Sequence, residues 1–206
     1  MNTSPASTAT AGWHVRRLVS TLSFTDNGVW LVERWSIVAE ATLDELMIEV
    51  NYDEAAPIEI DSYGAEVTST PYPTTTGRRT IGLQLPAPVT AGDRHDFELA
   101  LFEPRLNRIE RHVYVPAVAC RNLELRVHFQ VSTAPRAVTR LAGDTCPTDP
   151  AEPEVILVNS CGEVATRFHD LHTGRPHGLS WKPPPQEGVS DHGLRATAPN
   201  SSTSRW

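Results

Sequence analysis

Apolar residues recur at every second position along most of this chain. Leu123, Leu125, Val127, Phe129 and Val131 fall on one side of an extended chain, and Glu124, Arg126, His128 and Gln130 on the other. Val29, Leu31 and Ile37 share a face with Glu33 and Trp35, opposite Trp30, Val32, Arg34 and Ser36. Leu46, Ile48 and Val50 alternate with Glu45, Met47 and Glu49. A period of two is the strand signal, because successive side chains of a strand leave opposite faces. Shorter runs of the same kind are Ile81, Leu83 and Leu85, ended by Pro86; Phe97, Leu99 and Leu101; and Val113 and Val115, ended by Pro116. A strand beginning at Val138, an apolar run from Val155 to Val158, the set Val164, Thr166 and Phe168, and Leu179 to Trp181 complete the series.

Turn residues punctuate these runs at Asp26-Asn27-Gly28, Thr76-Gly77, Ala91-Gly92-Asp93, Gly143-Asp144 and Ser160-Cys161-Gly162. Strands at such spacing predict an all-β fold, an antiparallel β-sandwich, with the first and last of these turns as hairpin tips. The segment Ala39 to Met47 is the one helical candidate, of at most one turn. Thr145 to Glu154, with Pro147, Pro150 and Pro153, reads as a loop.

Composition sets the limits of the fold. Between Met1 and Gly12 the chain is Ser, Thr, Ala, Asn and Pro with no charge, and 183–206 open on three prolines and turn polar. Such tails bury too little apolar surface to offset their ordering entropy, so both are expected to be disordered around a domain at 13–182. The opening residues lack a basic region followed by an apolar run, and no stretch has the ~20 apolar residues of a membrane span. Cys120, Cys146 and Cys161 are odd in number and form no CxxC. These features predict a cytoplasmic chain with reduced thiols and no membrane association.

The formal net charge is -7. It argues against direct nucleic-acid binding, which needs clustered cations. The distribution is uneven. No Lys or Arg occurs from Trp35 to Gly77, while Glu40, Asp44, Glu45, Glu49, Asp53, Glu54, Glu59, Asp61 and Glu66 all do. Between Arg105 and Arg140 seven arginines stand against Glu110 and Glu124. Either the two segments neutralise each other across neighbouring strands, or they form a complementary surface for a protein partner or a homo-oligomer. Lys182 is the single lysine among eighteen Lys and Arg residues, a usage that points to a GC-rich genome.

Motifs for chemistry are sparse. There is no GxGxxG, no GxxxxGK[ST] and no GxSxG. No catalytic residue and no cofactor is expected. His169, His172 and His177 form the one candidate metal set, since imidazoles are good zinc ligands and Asp170 could support them, although their spacing fits solvated loop histidines better. The carboxylates between Glu40 and Glu66 read as a solvated face. Cys161 sits in a turn without an evident base. Trp13, Trp30, Trp35 and Trp181 read as core, with one of Trp30 and Trp35 exposed as a possible binding surface. Trp206, beside Arg205, is a candidate linear anchor.

One resemblance adds to this. The strand and turn Leu125-Arg126-Val127-His128-Phe129 and Pro135-Arg136-Ala137-Val138, followed by Phe168, Gly174 and His177-Gly178-Leu179-Ser180-Trp181, resemble an all-β domain that follows the helix-turn-helix in some actinobacterial regulators. His177 stands where that domain carries Tyr, and no helix-turn-helix is expected in residues 1–12, since Trp13 already begins the β region. The resemblance implies an accessory or sensing domain without a catalytic set. Phe168, Gly174, Gly178 and Trp181 would be an aromatic anchor, two turn positions and a core Trp. The leading expectation is therefore a non-catalytic β-sandwich that binds a partner protein or a small signal. The alternatives are a metal-dependent enzyme using the three histidines, and a β-barrel holding an apolar ligand.

Overall fold

The computed structural model describes residues 12–51, 59–73, 78–104, 109–142 and 154–182. The expected disordered tails, apart from Gly12, lie outside these residues, as do Cys146, the Thr76-Gly77 and Gly143-Asp144 turns, Trp206 and all but the last residue of the Pro-rich loop. Thirteen strands are present among them, with one 3-10 turn at Val131–Thr133 and no α-helix. The all-β expectation holds, in three sheets.

The largest sheet has six strands. Across it run β12 (Glu163–Leu171), β9 (Cys120–His128), β1 (Trp13–Thr25), β2 (Gly28–Ala39), β7 (Arg94–Glu103) and β4 (Glu59–Tyr63), in that order. A four-stranded sheet orders β11 (Val155–Leu157), β10 (Ala137–Leu141), β13 (His177–Ser180) and β8 (Arg111–Tyr114). A three-stranded sheet orders β3 (Leu43–Asn51), β6 (Arg78–Val89) and β5 (Glu66–Pro73). All pairings are antiparallel except β1 with β9, which run parallel from Val15↔Cys120 to Ser23↔His128. Each sheet has open edges, so the architecture is a sandwich and not a closed barrel.

One face of the six-stranded sheet carries Leu18, Leu22, Leu31, Trp35, Ile37, Phe97, Leu99, Leu101, Leu123, Leu125 and Val127, all buried. The two smaller sheets lie side by side on that face. They contribute Leu46, Ile48, Val50, Ile81 and Leu83 from one, and Tyr114, Val138 and Leu179 from the other, to a single core. Non-directional burial of this apolar surface is the main stabilising term. Aromatic contacts tie the layers: Tyr114 meets Trp35 edge-on at 6.1 Å, and Trp181 meets Phe129 edge-on at 5.0 Å.

The alternation reading of β2 is reproduced in full, with Glu33 and Trp35 on the buried side. Elsewhere the structure departs from expectation for local reasons. Ala39 to Met47 is a strand end, a bend and the start of β3, because Leu46, Ile48 and Val50 pair with β6 instead of forming a helical stripe. Pro86 does not end β6. Residues 85–88 oppose the irregularity between Leu43 and Glu45, where no ladder donor is required of Pro86 or Pro88. The Ser160-Cys161-Gly162 turn is no hairpin tip, since β11 pairs with β10 and β12 with β9. In β8 the buried residues are His112 and Tyr114, not the valines. Val155 and Leu157 are exposed on the edge strand β11.

Candidate functional site

Two features are built by this architecture, one buried and one open. The buried one lies where the three sheets meet. β8 is an edge of the four-stranded sheet and β3 an edge of the three-stranded sheet. Between them, over β1 and β2, is a cavity of about 30 Å³ lined by Ser20, Glu33, Glu49, His112 and Tyr114 with Leu31, Val50, Val113 and Val115. It has room for about one water molecule.

Ser20 and Glu33 pair directly across β1 and β2. The Ser20 hydroxyl donates to Glu33 Oε1 at 3.1 Å, and His112 Nε2 lies 3.1 Å from the same Oγ. His112 Nε2 is also 3.4 Å from the Ser20 carbonyl oxygen, so the ring carries its proton there and donates to Ser20. All three side chains are buried. Burial pushes the Glu33 carboxyl up to about 7, against the hydrogen bond from Ser20 and a weak pull from the Trp35 indole N–H. Among the described residues neither that N–H nor Glu33 Oε2 makes a hydrogen bond. Burial likewise depresses the His112 imidazole to about 4, opposed by the Ser20 backbone. At neutral pH the histidine is uncharged, and burial holds Glu33 toward its protonated form.

A serine, a histidine and a glutamate in contact invite comparison with a catalytic triad. The order is wrong. In a triad the histidine stands between carboxylate and hydroxyl. Here the hydroxyl stands between the other two, so no base is aimed by the acid. Ser20 is 1% exposed, which denies a substrate access to its oxygen.

The open feature is the other face of the six-stranded sheet. The registers place its side chains in rows. One row runs Glu163, His128, Ser23, Trp30, Phe102, Glu59. The next runs Ala165, Arg126, Thr21, Val32, Ala100, Asp61, and a third Arg167, Glu124, Val19, Arg34, Glu98, Tyr63. No described element packs over them, because both smaller sheets occupy the opposite face. Trp30 is 37% exposed and rests on Phe102, with ring centroids 4.7 Å apart. With Val19, Val32 and Ala100 these rings give the face an apolar centre.

The flanks differ in charge. On β12, β9, β1 and β2 the face carries Arg167, Arg126, Arg17 and Arg34 against Glu163 and Glu124. On β7 and β4 it carries Asp96, Glu98, Glu59 and Asp61 against Arg94. Glu124 is the hub of the basic flank. Arg126 holds it at 2.5 Å, Arg167 at 3.3 Å and Arg17 at 3.4 Å. Its partial burial alone would raise its pKa, but Arg126 and Arg167 outweigh that and lower it. The acidic β4 and basic β9 stand four strands apart, so the two charged segments do not neutralise each other across adjacent strands. Where the two flanks meet, Arg34 binds Glu98 at 2.5 Å.

The three candidate metal ligands are not gathered in either feature, although His169 lies on the outer face, two residues beyond Arg167. His169 is exposed on β12, with Nδ1 2.9 Å from Asn122 Oδ1. His172 is exposed in the following turn. His177 is half-buried on β13, edge-on to Phe168 at 5.2 Å, and both its ring nitrogens are buried without a hydrogen bond. Burial, then the charges of Arg140, Arg175 and His172, lower its pKa. Among the described residues no group of three His, Cys, Asp or Glu side chains is placed to hold a metal ion.

The residues carrying the family resemblance are structural in their contacts. Phe168 is held between His177 and the Arg140 guanidinium, 4.4 Å from its centroid. Gly174 has φ +78° and donates its N–H to Pro116. Gly178 lies in β13 and not in a turn; a Cβ there would stand 2.6 Å from the His112 carbonyl oxygen. Trp181 is buried against Phe24 and Phe129. Cys120 is buried, its thiol pushed up to about 12 by burial, and Cys161 is exposed in a turn capped by the Asn159 side chain. The sequence reading missed Ser20 and His112. Glu33 was placed on a core face without a partner, and a carboxylate on that face was the signal available.

No protein-family model matches the chain, and comparison with curated proteins gives no match. Solved structures are similar in shape. A putative protease from Parabacteroides distasonis ATCC 8503 aligns with TM-score 0.51 at 6% identity, over 83% of this chain and 40% of that one. An M1 zinc metallopeptidase from Deinococcus radiodurans aligns with TM-score 0.45 at 9% identity, over 82% of this chain and 42% of that one. The chain thus spans about two-fifths of the length of these structures. At such identities the likeness bears on the all-β fold alone.

Proposed function

We propose that this chain is a non-catalytic accessory domain that binds a protein partner through the outer face of its six-stranded sheet. The observation that carries the reading is that face itself. Among the described residues nothing covers it, yet it holds an aromatic pair and small apolar residues between flanks of opposite charge. Interfaces combine an apolar, aromatic centre with a charged rim in this way. The resemblance of the closing segment to regulator-associated domains supports an accessory role too, as does the order of Ser20, His112 and Glu33, which suits a buried structural network better than catalysis.

Photo-crosslinking tests the reading. A benzoyl-phenylalanine replacing Trp30, in the cells that make the protein, is expected to give a discrete adduct. The same probe replacing Leu157, exposed on the far edge strand, is expected to give none. Equal or absent crosslinking from the two positions would contradict it.

A further inference from the structure

We infer that the partner on this face is a second copy of the same chain, stacked face to face about a two-fold axis that runs parallel to the strands between β1 and β2. The inference rests on the reading above and adds the identity of the partner.

The charge pattern selects both the partner and the axis. A two-fold axis in the interface plane and parallel to the strands reverses left and right across the sheet. It lays the arginine-rich flank of each copy over the carboxylate-rich flank of the other, and sets Trp30 beside the axis over the partner's Ser23. An axis perpendicular to the strands would place like flank on like flank, which costs free energy. One isologous contact therefore satisfies both flanks at once and closes, leaving no unused half of the face to propagate a fibre.

The size is adequate. Beyond the three rows, His169, Asn122, Arg17, Ser36 and Asp96 make a fourth. Six strands at ~4.8 Å span ~28 Å, and four rows at ~6.8 Å span ~27 Å. That is roughly 750 Å² per copy, close to the ~800 Å² a side of a stable interface. One flank sets four arginines against two carboxylates and the other four carboxylates against one arginine, so a net charge of opposite sign is left on each.

Sedimentation velocity on the full chain, with two variants, tests this. Arg17→Glu with Arg167→Glu makes both flanks acidic while leaving the Arg126 bond to Glu124 in place. Glu59→Arg with Asp61→Arg makes both flanks net basic at exposed sites of β4. Wild type is expected to dimerise, with Kd weakening roughly tenfold or more between about 0.05 and about 0.5 M salt. Each variant alone is expected to be monomeric with a wild-type circular dichroism spectrum and melting profile. An equimolar mixture of the two is expected to recover the dimer mass. A wild-type monomer at all concentrations, a dimer indifferent to both variants, or folded variants that fail to recover on mixing would each overturn the inference. If wild type is monomeric while position 30 still crosslinks to another protein in cells, the second-copy assignment fails and the protein-binding reading stands. If crosslinking fails as well, both fall.

Discussion

Glu33 is the residue at which the sequence and the fold are most at odds. A carboxylate on a strand face of Val29, Leu31, Trp35 and Ile37 breaks the apolar pattern, and burial raises its pKa to about 7. In the unfolded chain it titrates near 4.5. Between these values the folded state binds the extra proton, so its contribution to stability falls as pH rises from about 4.5 through about 7. His112 has the opposite sign. Its folded value near 4 lies below its unfolded 6.5, so its contribution falls as pH drops through that interval. Glu33→Gln keeps the shape and removes one of the two terms. It is expected to stabilise the chain by roughly 3 kcal/mol at about pH 8, and much less at about pH 5. Urea melts at the two pH values would measure it; a loss of stability at the higher pH would contradict the assignment. His112 was not legible beforehand because Val113 and Val115 are the better apolar pair. Only the packing of β8 over Ser20 decides which side of that strand is inside.

At the scale of elements, close approach of backbones sets the strongest local requirement. Gly28 closes the β1–β2 hairpin at φ +152°, and a Cβ there would stand 2.1 Å from the Glu103 carbonyl oxygen. Gly92 also has positive φ, at +89°, but a Cβ there would meet nothing. Gly28→Ala is expected to cost more than about 2 kcal/mol, whereas Gly92→Ala should cost about 1 kcal/mol from backbone strain alone. Thermal melts of the pair would show it, and equal losses would refute it. The hairpin was readable from Asp26-Asn27-Gly28, and β2 and β9 from their alternation. β1 was less readable, since its pattern shifts phase at the irregularity between Val15 and Arg17. The parallel partnership of β1 with β9 joins segments about a hundred residues apart, and nothing local encodes it. The length of β6 was misjudged because proline forbids a ladder donor, not an extended chain.

For the whole molecule, what matters is the arrangement of sheets. The charge asymmetry was visible in the sequence, but not whether the two segments would be neighbours. Strand order answers that: β4 and β9 are separated by β7, β2 and β1. The histidines illustrate the reverse case. Near one another in sequence, His169, His172 and His177 are distributed over an exposed strand, a turn and a half-buried strand packed on Phe168. Among the described residues the same topology leaves one face of the large sheet bare, with Trp30 and Phe102 on it. A mutation in the middle of that face should leave the core alone. Val32→Glu is expected to change the melting temperature by no more than about 2 °C, as surface substitutions do, while abolishing association. A large loss of stability would mean that the face is packed within the chain.

The central claim is that the outer face of the six-stranded sheet is a protein-binding surface, and side-chain accessibility measures it most directly. Hydroxyl-radical footprinting of Trp30 and Phe102 should be compared between dilute purified chain and the cells that make it, with Val155 and Leu157, exposed on the edge strand β11, as references. The account predicts that Trp30 and Phe102 oxidise readily in the dilute chain and are protected several-fold in cells relative to Leu157. Equal oxidation of Trp30 and Phe102 in both settings would contradict it.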